Sequence, residues 1–324
     1  MRWEKLGFDG YIQDQQSPIT REAFAVLTLQ YVALQFHCDD RSLTELVNWS
    51  MGDGGESPFA DGTDTSTAAY YLGVVEGRGD GTFDRMGQIT RQEAAVMLAR
   101  AYQVCGGVLP GEGTAPGFAD GDSIADWAKA SVEAVAALGV MQGREDGTFD
   151  PEGAYSVEQC KLTLLRLYEK APVSRKNGNV TPLFSYEQCR EYMEWVFAES
   201  EANHGGYYEV ARVEGPEATF LQTELGGWPT GHTRLYLLYR DGGLREILDI
   251  GLCTMYAGKY LSGAKLSDRR FSEDGNTCFF TVTLDENVPP YSSDEEAWHK
   301  NGVYHVTVDV DTCAYTLERE DLPQ

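Results

Sequence analysis

The sequence predicts an α+β protein in two parts. The first half is all-α, built of repeated helix–turn–helix units. The second is a helix followed by a mainly antiparallel β-sheet. Three observations carry this. A short glycine-rich pattern recurs in the first half, each full copy is followed by a capped helix with one apolar stripe, and the chain beyond residue 184 alternates in short runs separated by turn residues.

Residues 77–84 read G-R-G-D-G-T-F-D and residues 143–150 read G-R-E-D-G-T-F-D, an offset of 143 − 77 = 66. Leu72-Gly73-Val74 and Leu138-Gly139-Val140 keep that offset, as do Thr90 and Ser156. Phe59-Ala60-Asp61 and Phe118-Ala119-Asp120 match at 118 − 59 = 59, so the earlier copy is 66 − 59 = 7 residues shorter in between, about two helical turns. A partial copy comes first. Its Thr20-Arg21-Glu22 precedes Thr90-Arg91-Gln92 by 70, its Leu6-Gly7 precedes Leu72-Gly73 by 66, and it lacks the D-G-T-F.

A helix is predicted after each Thr or Ser. Phe24, Leu27, Thr28 and Tyr31 fall on one helical face, as do Ala94, Met97, Leu98 and Ala101, and Cys160, Thr163, Leu164 and Leu167. Thr90 with Glu93 and Ser156 with Gln159 have capping-box spacing, whereas Thr20 meets Ala23 and lacks the reciprocal partner. A further helix is expected from about Ile124 to Leu138, and the Asp-Gly pairs supply tight turns. Such units bury their stripes by packing on one another.

Composition narrows the function. The chain has 324 residues, and 26 basic against 51 acidic side chains give 26 − 51 = −25. That surface repels phosphate backbones and excludes nucleic acid as a partner. No apolar run approaches the roughly 20 residues of a membrane-spanning helix, so no membrane insertion is expected. The seven cysteines, Cys38, Cys105, Cys160, Cys189, Cys253, Cys278 and Cys313, form no C-x-x-C pair and read as buried reduced thiols. No catalytic residue, metal ligand set or cofactor is assigned. The histidines have no tight metal spacing, the D-G loops lack the oxygen ligands of a calcium loop, and no phosphate-binding or nucleophile motif occurs.

The first half resembles the S-layer homology family, whose pattern is F-x-D, a helix with W-A, L-G-hydrophobic, G-x-x-D-G-T-F-x-P and a T-R-x-E helix start. The third copy has F-A-D at 118–120, W-A at 127–128, L-G-V at 138–140, G-R-E-D-G-T-F-D-P at 143–151 and Y-S-V-E-Q at 155–159. The second has F-A-D, L-G-V, G-R-G-D-G-T-F-D and I-T-R-Q-E at 89–93, and the first has P-I-T-R-E at 18–22. The resemblance covers about residues 1–170 and implies a pseudo-threefold bundle of three repeats. It also implies a bacterial, usually Gram-positive, cell surface and a secondary cell-wall polysaccharide, often pyruvylated, bound in grooves between repeats.

By that resemblance the polysaccharide-binding residues are Arg21, Arg91 and Trp127, with Asp61 and Asp120 beside them. An arginine grips a ketal carboxylate in bidentate fashion and a tryptophan face packs on a sugar ring. Read from their surroundings alone, the arginines equally suit pairing with neighbouring carboxylates, and the two aspartates suit capping or shaping turns. The third copy departs from the pattern with Val157 in place of arginine, and the second has no tryptophan in its shortened segment. Met1 is followed by Arg2, Trp3, Glu4 and Lys5, with no apolar stretch behind them. The expectation is an extracellular, cell-wall-associated protein whose signal peptide and first-repeat start lie outside this sequence.

The expected boundaries are a repeat domain over 1–171 (1–57, 58–116 and 117–171), a linker over 172–183 and a second domain over 184–324. Ser185 and Gln188 have capping-box spacing ahead of a helix to about Ala202. Strands are expected at 207–214, 217–224, 232–240, 243–250, 265–272, 277–284, 302–308 and 313–319. The helix should pack on one curved, largely antiparallel sheet. Trp195, Trp228, Tyr236, Trp298 and Tyr304 suit a sugar platform or, more commonly, a core. The reading is a non-catalytic surface protein that displays a C-terminal binding module. The alternatives are a secreted glycan hydrolase with catalytic carboxylates in that module, or a structural spacer with decayed repeats.

Overall fold

A computed structural model describes residues 16–52, 56–111, 113, 117–170, 182–202, 206–226, 232–252, 265–284, 290–291 and 302–320. Two compact units result, one drawn from Met1–Gln35 and Asp39–Thr181, the other from Phe36–Cys38 and Pro182–Gln324. Most of the expected linker lies outside the described residues, as do Leu6-Gly7, Cys253, Trp228 and Trp298.

The first unit holds α1 (Arg21–Gln35), α2 (Asp40–Ser50), α3 (Asp64–Tyr71), α4 (Arg91–Val104), α5 (Asp126–Ala137) and α6 (Val157–Lys170). The three predicted stripes on α1, α4 and α6 are buried throughout. Both capping boxes form: Glu93 Oε2 accepts from Thr90 N at 3.0 Å and Gln159 Oε1 from Ser156 N at 3.1 Å. At α1 only the Thr20 half forms, with Ala23 N donating at 3.2 Å. The seven extra residues of the third copy are one 3₁₀ turn, Gly121–Ser123, plus one further α-turn, since α5 has 12 residues and α3 has 8, and 3 + (12 − 8) = 7. Helix α2 was not expected. Asp39 caps it by accepting from Ser42 N at 2.8 Å, and Leu43, Leu46 and Val47 form its buried stripe.

Three short segments lock the repeats together. Ile19 N donates to Tyr155 O (2.8 Å), Tyr155 N to Ile89 O (3.3 Å) and Ile89 N to Ile19 O (3.1 Å). These residues hold equivalent places in the three copies. A ring of backbone hydrogen bonds that closes after three steps gives the bundle its pseudo-threefold character.

Among the described residues the second unit holds α7 (Tyr186–Ala202) and nine strands: β1 (Gly206–Glu214), β2 (Ala218–Gly226), β3 (His232–Tyr239), β4 (Leu244–Leu252), β5 (Lys265–Phe271), β6 (Thr277–Leu284), β7 (Pro290–Tyr291), β8 (Gly302–Asp309) and β9 (Tyr315–Glu320). The expected single sheet is in fact two antiparallel sheets, ordered β1-β2-β3-β4-β7 and β5-β6-β8-β9. The reason lies in the alternation. Phe220, Leu235 and Leu237 from one sheet share a core with Cys278, Phe280, Val282, Tyr304 and Val306 from the other. Phe220 and Phe280 meet with ring centroids 5.4 Å apart. Helix α7 packs on β1 and β3 and buries Cys189, Tyr192 and Met193. Among the described cysteines, Cys38, Cys105, Cys160, Cys189 and Cys278 are buried and Cys313 is half-buried.

Candidate functional site

The repeated residues converge on two junctions, one between the first and second repeats and one between the second and third. Each junction is built around a D-G-T-F loop. At the loop's tip, Gly81 and Gly147 adopt φ +85° and +81°, which a side chain would resist. Asp80 Oδ1 accepts from Thr82 N at 3.0 Å, and Asp146 Oδ1 from Thr148 N at 3.0 Å, so these aspartates form Asx turns. At the loop's start, a Cβ on Gly77 would stand 2.7 Å from the Phe59 ring, and one on Gly143 2.8 Å from the Phe118 ring. The phenylalanine of each F-A-D thus seats the loop, and the glycine admits it.

The aspartate of each F-A-D clamps the same loop. Asp61 accepts from Phe83 N (2.7 Å) and Arg85 N (3.0 Å). Asp120 accepts from Phe149 N (2.7 Å) and Asp150 N (2.8 Å). The Phe83 and Arg85 amides hold the Asp61 carboxyl below its ordinary range. For Asp120, burial acts in the opposite direction, but the Phe149 and Asp150 amides outweigh it and its value is also lowered.

The arginine of each helix start reaches across into the loop of the next repeat. Arg21 donates from Nε to Phe83 O (2.8 Å) and from Nη2 to Glu76 O (3.2 Å), and its guanidinium lies 4.9 Å from the Phe83 ring centroid. Arg91 repeats this on the next loop, with Nε to Phe149 O (2.7 Å), Nη2 to Gln142 O (3.0 Å) and 4.9 Å to the Phe149 ring. Both arginines are only 5% exposed. Burial lowers the pKa of each, yet both stay charged at neutral pH. Val157, third in the series, is buried, and its N–H donates to Ser17 O at 3.1 Å.

The next helix residue ties down the first helix of the following repeat. Glu22 Oε1 accepts from the Thr63 hydroxyl at 2.5 Å, and Thr63 caps α3. Gln92 Oε1 accepts from Ala125 N at 3.0 Å, and Ala125 opens α5. Gln92 therefore sets Trp127 near the second junction. Trp127 is 60% exposed, which makes it the accessible member of the five predicted residues. Arg21, Arg91, Asp61 and Asp120 are each engaged by backbone groups.

Two further arginines, which sequence reasoning did not single out, lie on the loops themselves. Arg78 pairs with Asp84 at 3.0 Å and with Glu93. Arg144, its counterpart, pairs with Asp150. The signal was present in the sequence as the G-R at the head of both repeated octets.

Of the aromatic residues proposed for a platform in the second unit, Tyr304 is buried in the shared core, Tyr236 is buried and Trp195 is exposed. Glu214 carries an ion pair to Arg240, and a hydrogen bond from Thr219 at 2.7 Å.

Comparison with known proteins gives these junctions a family. Residues 67–95 and 117–154 match the S-layer homology domain. The chain is 28% identical over 152 residues to an endoglucanase of Bacillus sp. (strain KSM-635), covering 47% of this chain and 15% of that one. It is 27% identical over 166 residues to exoglucanase XynX of Acetivibrio thermocellus, covering 50% and 14%. It is 37% identical over 82 residues to the surface-layer 125 kDa protein of Lysinibacillus sphaericus, covering 25% and 6%. The chain thus spans no more than 15% of the length of these relatives. Both matched segments coincide with the loops and helices that build the two junctions, and the chain carries S-layer homology sequence in its N-terminal half.

Proposed function

We propose that the N-terminal repeats attach this protein non-covalently to bacterial cell-wall polysaccharide, and that residues 184–324 form a binding module carried on that anchor. The family match supports the first part. The observation that carries it to a site is Trp127, held exposed on α5 by the Gln92–Ala125 hydrogen bond, beside the helix that begins at Arg91. Trp127 offers a sugar ring an apolar face. Arg91, which precedes Gln92 in the chain, supplies positive charge at the same junction. Arg21, Asp61 and Asp120 act by holding the loops that wall the junctions. An extracellular, wall-associated location follows from this reading.

A second reading makes residues 184–324 a glycan hydrolase. The names of two relatives, an endoglucanase and an exoglucanase, favour it. Two of its carboxylates, Glu214 and Asp274, do not suit the role of general acid. Hydrogen bonds from Thr219 and Arg240 hold Glu214 below its ordinary value despite the opposing effect of burial, and Asp274 is lowered to about 2 by Ser272 and Asn276. A general acid needs the opposite shift.

The experiment is sedimentation with purified peptidoglycan sacculi that retain or lack their polysaccharide. Wild-type protein should sediment with the first and stay in solution with the second, and Trp127→Ala should stay in solution with both. Equal sedimentation of the wild type with stripped sacculi would refute polysaccharide attachment.

A further inference from the structure

The core shared by the two sheets of the second unit stops part-way along β2. Ala218 and Phe220 belong to it, but the next residues on the same strand face are Gln222 and Glu224. Gln222 is only 2% exposed. Tyr208 of β1 stands opposite Glu224, and its hydroxyl donates to Glu224 Oε2 at 3.3 Å. Tyr208 is 48% exposed, so most of this contact leaves its ring accessible.

The other sheet sends one side chain to the same place. Ser267 pairs with Thr281 and Arg270 with Phe279, so Asp268 and Arg269 both stand opposite Phe280, a β-bulge. Leu266 and Phe271 are an odd number of residues apart, yet both pack on the shared core, because the bulge absorbs one residue. Asp268 accommodates it at φ +54°, a conformation that costs free energy in any residue but glycine. The bulge brings Arg269 to Gln222, where Nε donates to Oε1 at 2.9 Å and Nη2 donates to the same oxygen. Gln222 Nε2 in turn donates to Glu224 Oε1 at 3.4 Å. Among the described residues no ion pair joins Arg269 to Glu224, and Arg269 Nη1 has no acceptor. Burial lowers the pKa of Arg269, and burial together with Glu224 raises that of Tyr208, so the cluster is partly withdrawn from water.

These four side chains define a ligand chemistry. Arg269 and Glu224 bring one charge of each sign, which favours neither an anion nor a cation. Arg269 Nη1 and Gln222 Nε2 donate, the Glu224 oxygens accept, and the Tyr208 ring is an apolar face. Two neighbouring hydroxyls of a pyranose each donate and accept, and the C–H side of the sugar is apolar. We infer that Tyr208, Gln222, Glu224 and Arg269 form the ligand site of the second unit, and that it takes an uncharged pyranose of a glycan. Neighbouring hydroxyls bridge Glu224 and Arg269, and the C–H side lies on Tyr208. A few placed polar groups beside an aromatic ring are the usual make-up of such a site. This rests on the reading of residues 184–324 as a binding module and deepens it by naming the site and the ligand class.

The test is calorimetric titration of the full chain with cellotetraose, maltotetraose and tetra-N-acetylchitotetraose, and with tetragalacturonate as the anionic control. Wild type should bind at least one neutral tetrasaccharide, and tetragalacturonate at least about tenfold more weakly. Preference for the N-acetylated probe assigns the ligand to wall glycan strands, and preference for a glucose probe assigns it to a glucan. Tyr208→Ala and Glu224→Gln should each weaken binding on the order of tenfold, through loss of the ring face and of a charged acceptor. Tyr208→Phe keeps the ring and should lose less than Tyr208→Ala. A wild-type-like urea midpoint confirms that each variant folds. Absence of binding to every neutral probe, wild-type affinity in folded Tyr208→Ala and Glu224→Gln, or equal binding of tetragalacturonate would overturn the inference. Loss of binding in Trp127→Ala with retention in Tyr208→Ala would put the sugar on the repeats and overturn it too. Chromatography of the same mixtures separates the site from the reading beneath it. Cleavage of a tetrasaccharide that Tyr208→Ala abolishes would contradict the binding module and keep the site. Full-affinity binding without cleavage in Tyr208→Ala would keep the module and overturn the site.

Discussion

At the first junction the helix cap is a glutamate whose carboxylate also meets a buried arginine; at the second, the equivalent cap is Gln159. Everything beneath that difference is shared: the F-A-D clamp, the glycine at the loop head, the Asx turn and the two loop carbonyls that receive the guanidinium. The comparison separates two duties that one arginine can perform. Nε and Nη2 hold the repeats together at both junctions. At the first, Nη1 also meets the Glu93 carboxylate. The exchange of glutamate for glutamine at the helix cap thus removes an ion pair without altering the joint's frame.

The shared frame is the first thing to break, with the largest effect. Arg21→Ala and Arg91→Ala should each destabilise the repeat unit by about 3 kcal/mol, because two buried carbonyls lose their donor and a cavity remains. Urea denaturation followed by tryptophan fluorescence and circular dichroism measures this. A loss below about 1 kcal/mol at either position would show that the arginines do not hold the loops.

The aspartate clamps come next. Asp120→Asn should cost about 1 kcal/mol, discounted for solvent access, because one of its two amide donors loses a charged acceptor. The pH dependence follows from the sign of the shifts. Asp61 and Asp120 both have folded-state values below the ordinary 3.8. Their contribution is fully present above that value and is lost as pH falls through the lowered one. Acid should therefore unfold the repeat unit below about pH 4, with a shallower slope in the Asp61→Asn/Asp120→Asn double variant. Equal slopes in circular-dichroism titrations would contradict the clamp.

The smallest effect sharpens the comparison most. Glu93→Gln should lower stability by up to about 1 kcal/mol, and Gln159→Glu should raise it by a similar amount, since a new carboxylate would settle between Arg91 and Arg144. Opposite signs in thermal melts of the two variants are expected, and the same sign in both would show that the junctions are not equivalent frames.

Much of this was legible in the sequence. The repeated octet, the capping spacing of Thr90 with Glu93 and Ser156 with Gln159, and the buried stripes all follow from local chemistry that acts within a few residues. The strands of the second unit also match closely, because alternation and Asp-Gly turns are local signals. What escaped was tertiary. That β5, β6, β8 and β9 form a separate sheet depends on which apolar faces meet, and both faces of β6 carry bulk. Helix α2 has its own cap and stripe but lies outside the repeat, so the search for periodicity passed over it. Arg78 was hidden because its meaning lies in Glu93, 93 − 78 = 15 residues away in sequence and adjacent only in the fold.

The measurement that bears most directly on the central claim is sedimentation of wild-type and Trp127→Ala protein with polysaccharide-bearing and stripped sacculi at one fixed salt concentration. Wild type should sediment with the polysaccharide-bearing sacculi alone, and folded Trp127→Ala should remain largely in solution with both. Sedimentation of wild type to the same extent with or without polysaccharide would contradict wall attachment through these repeats.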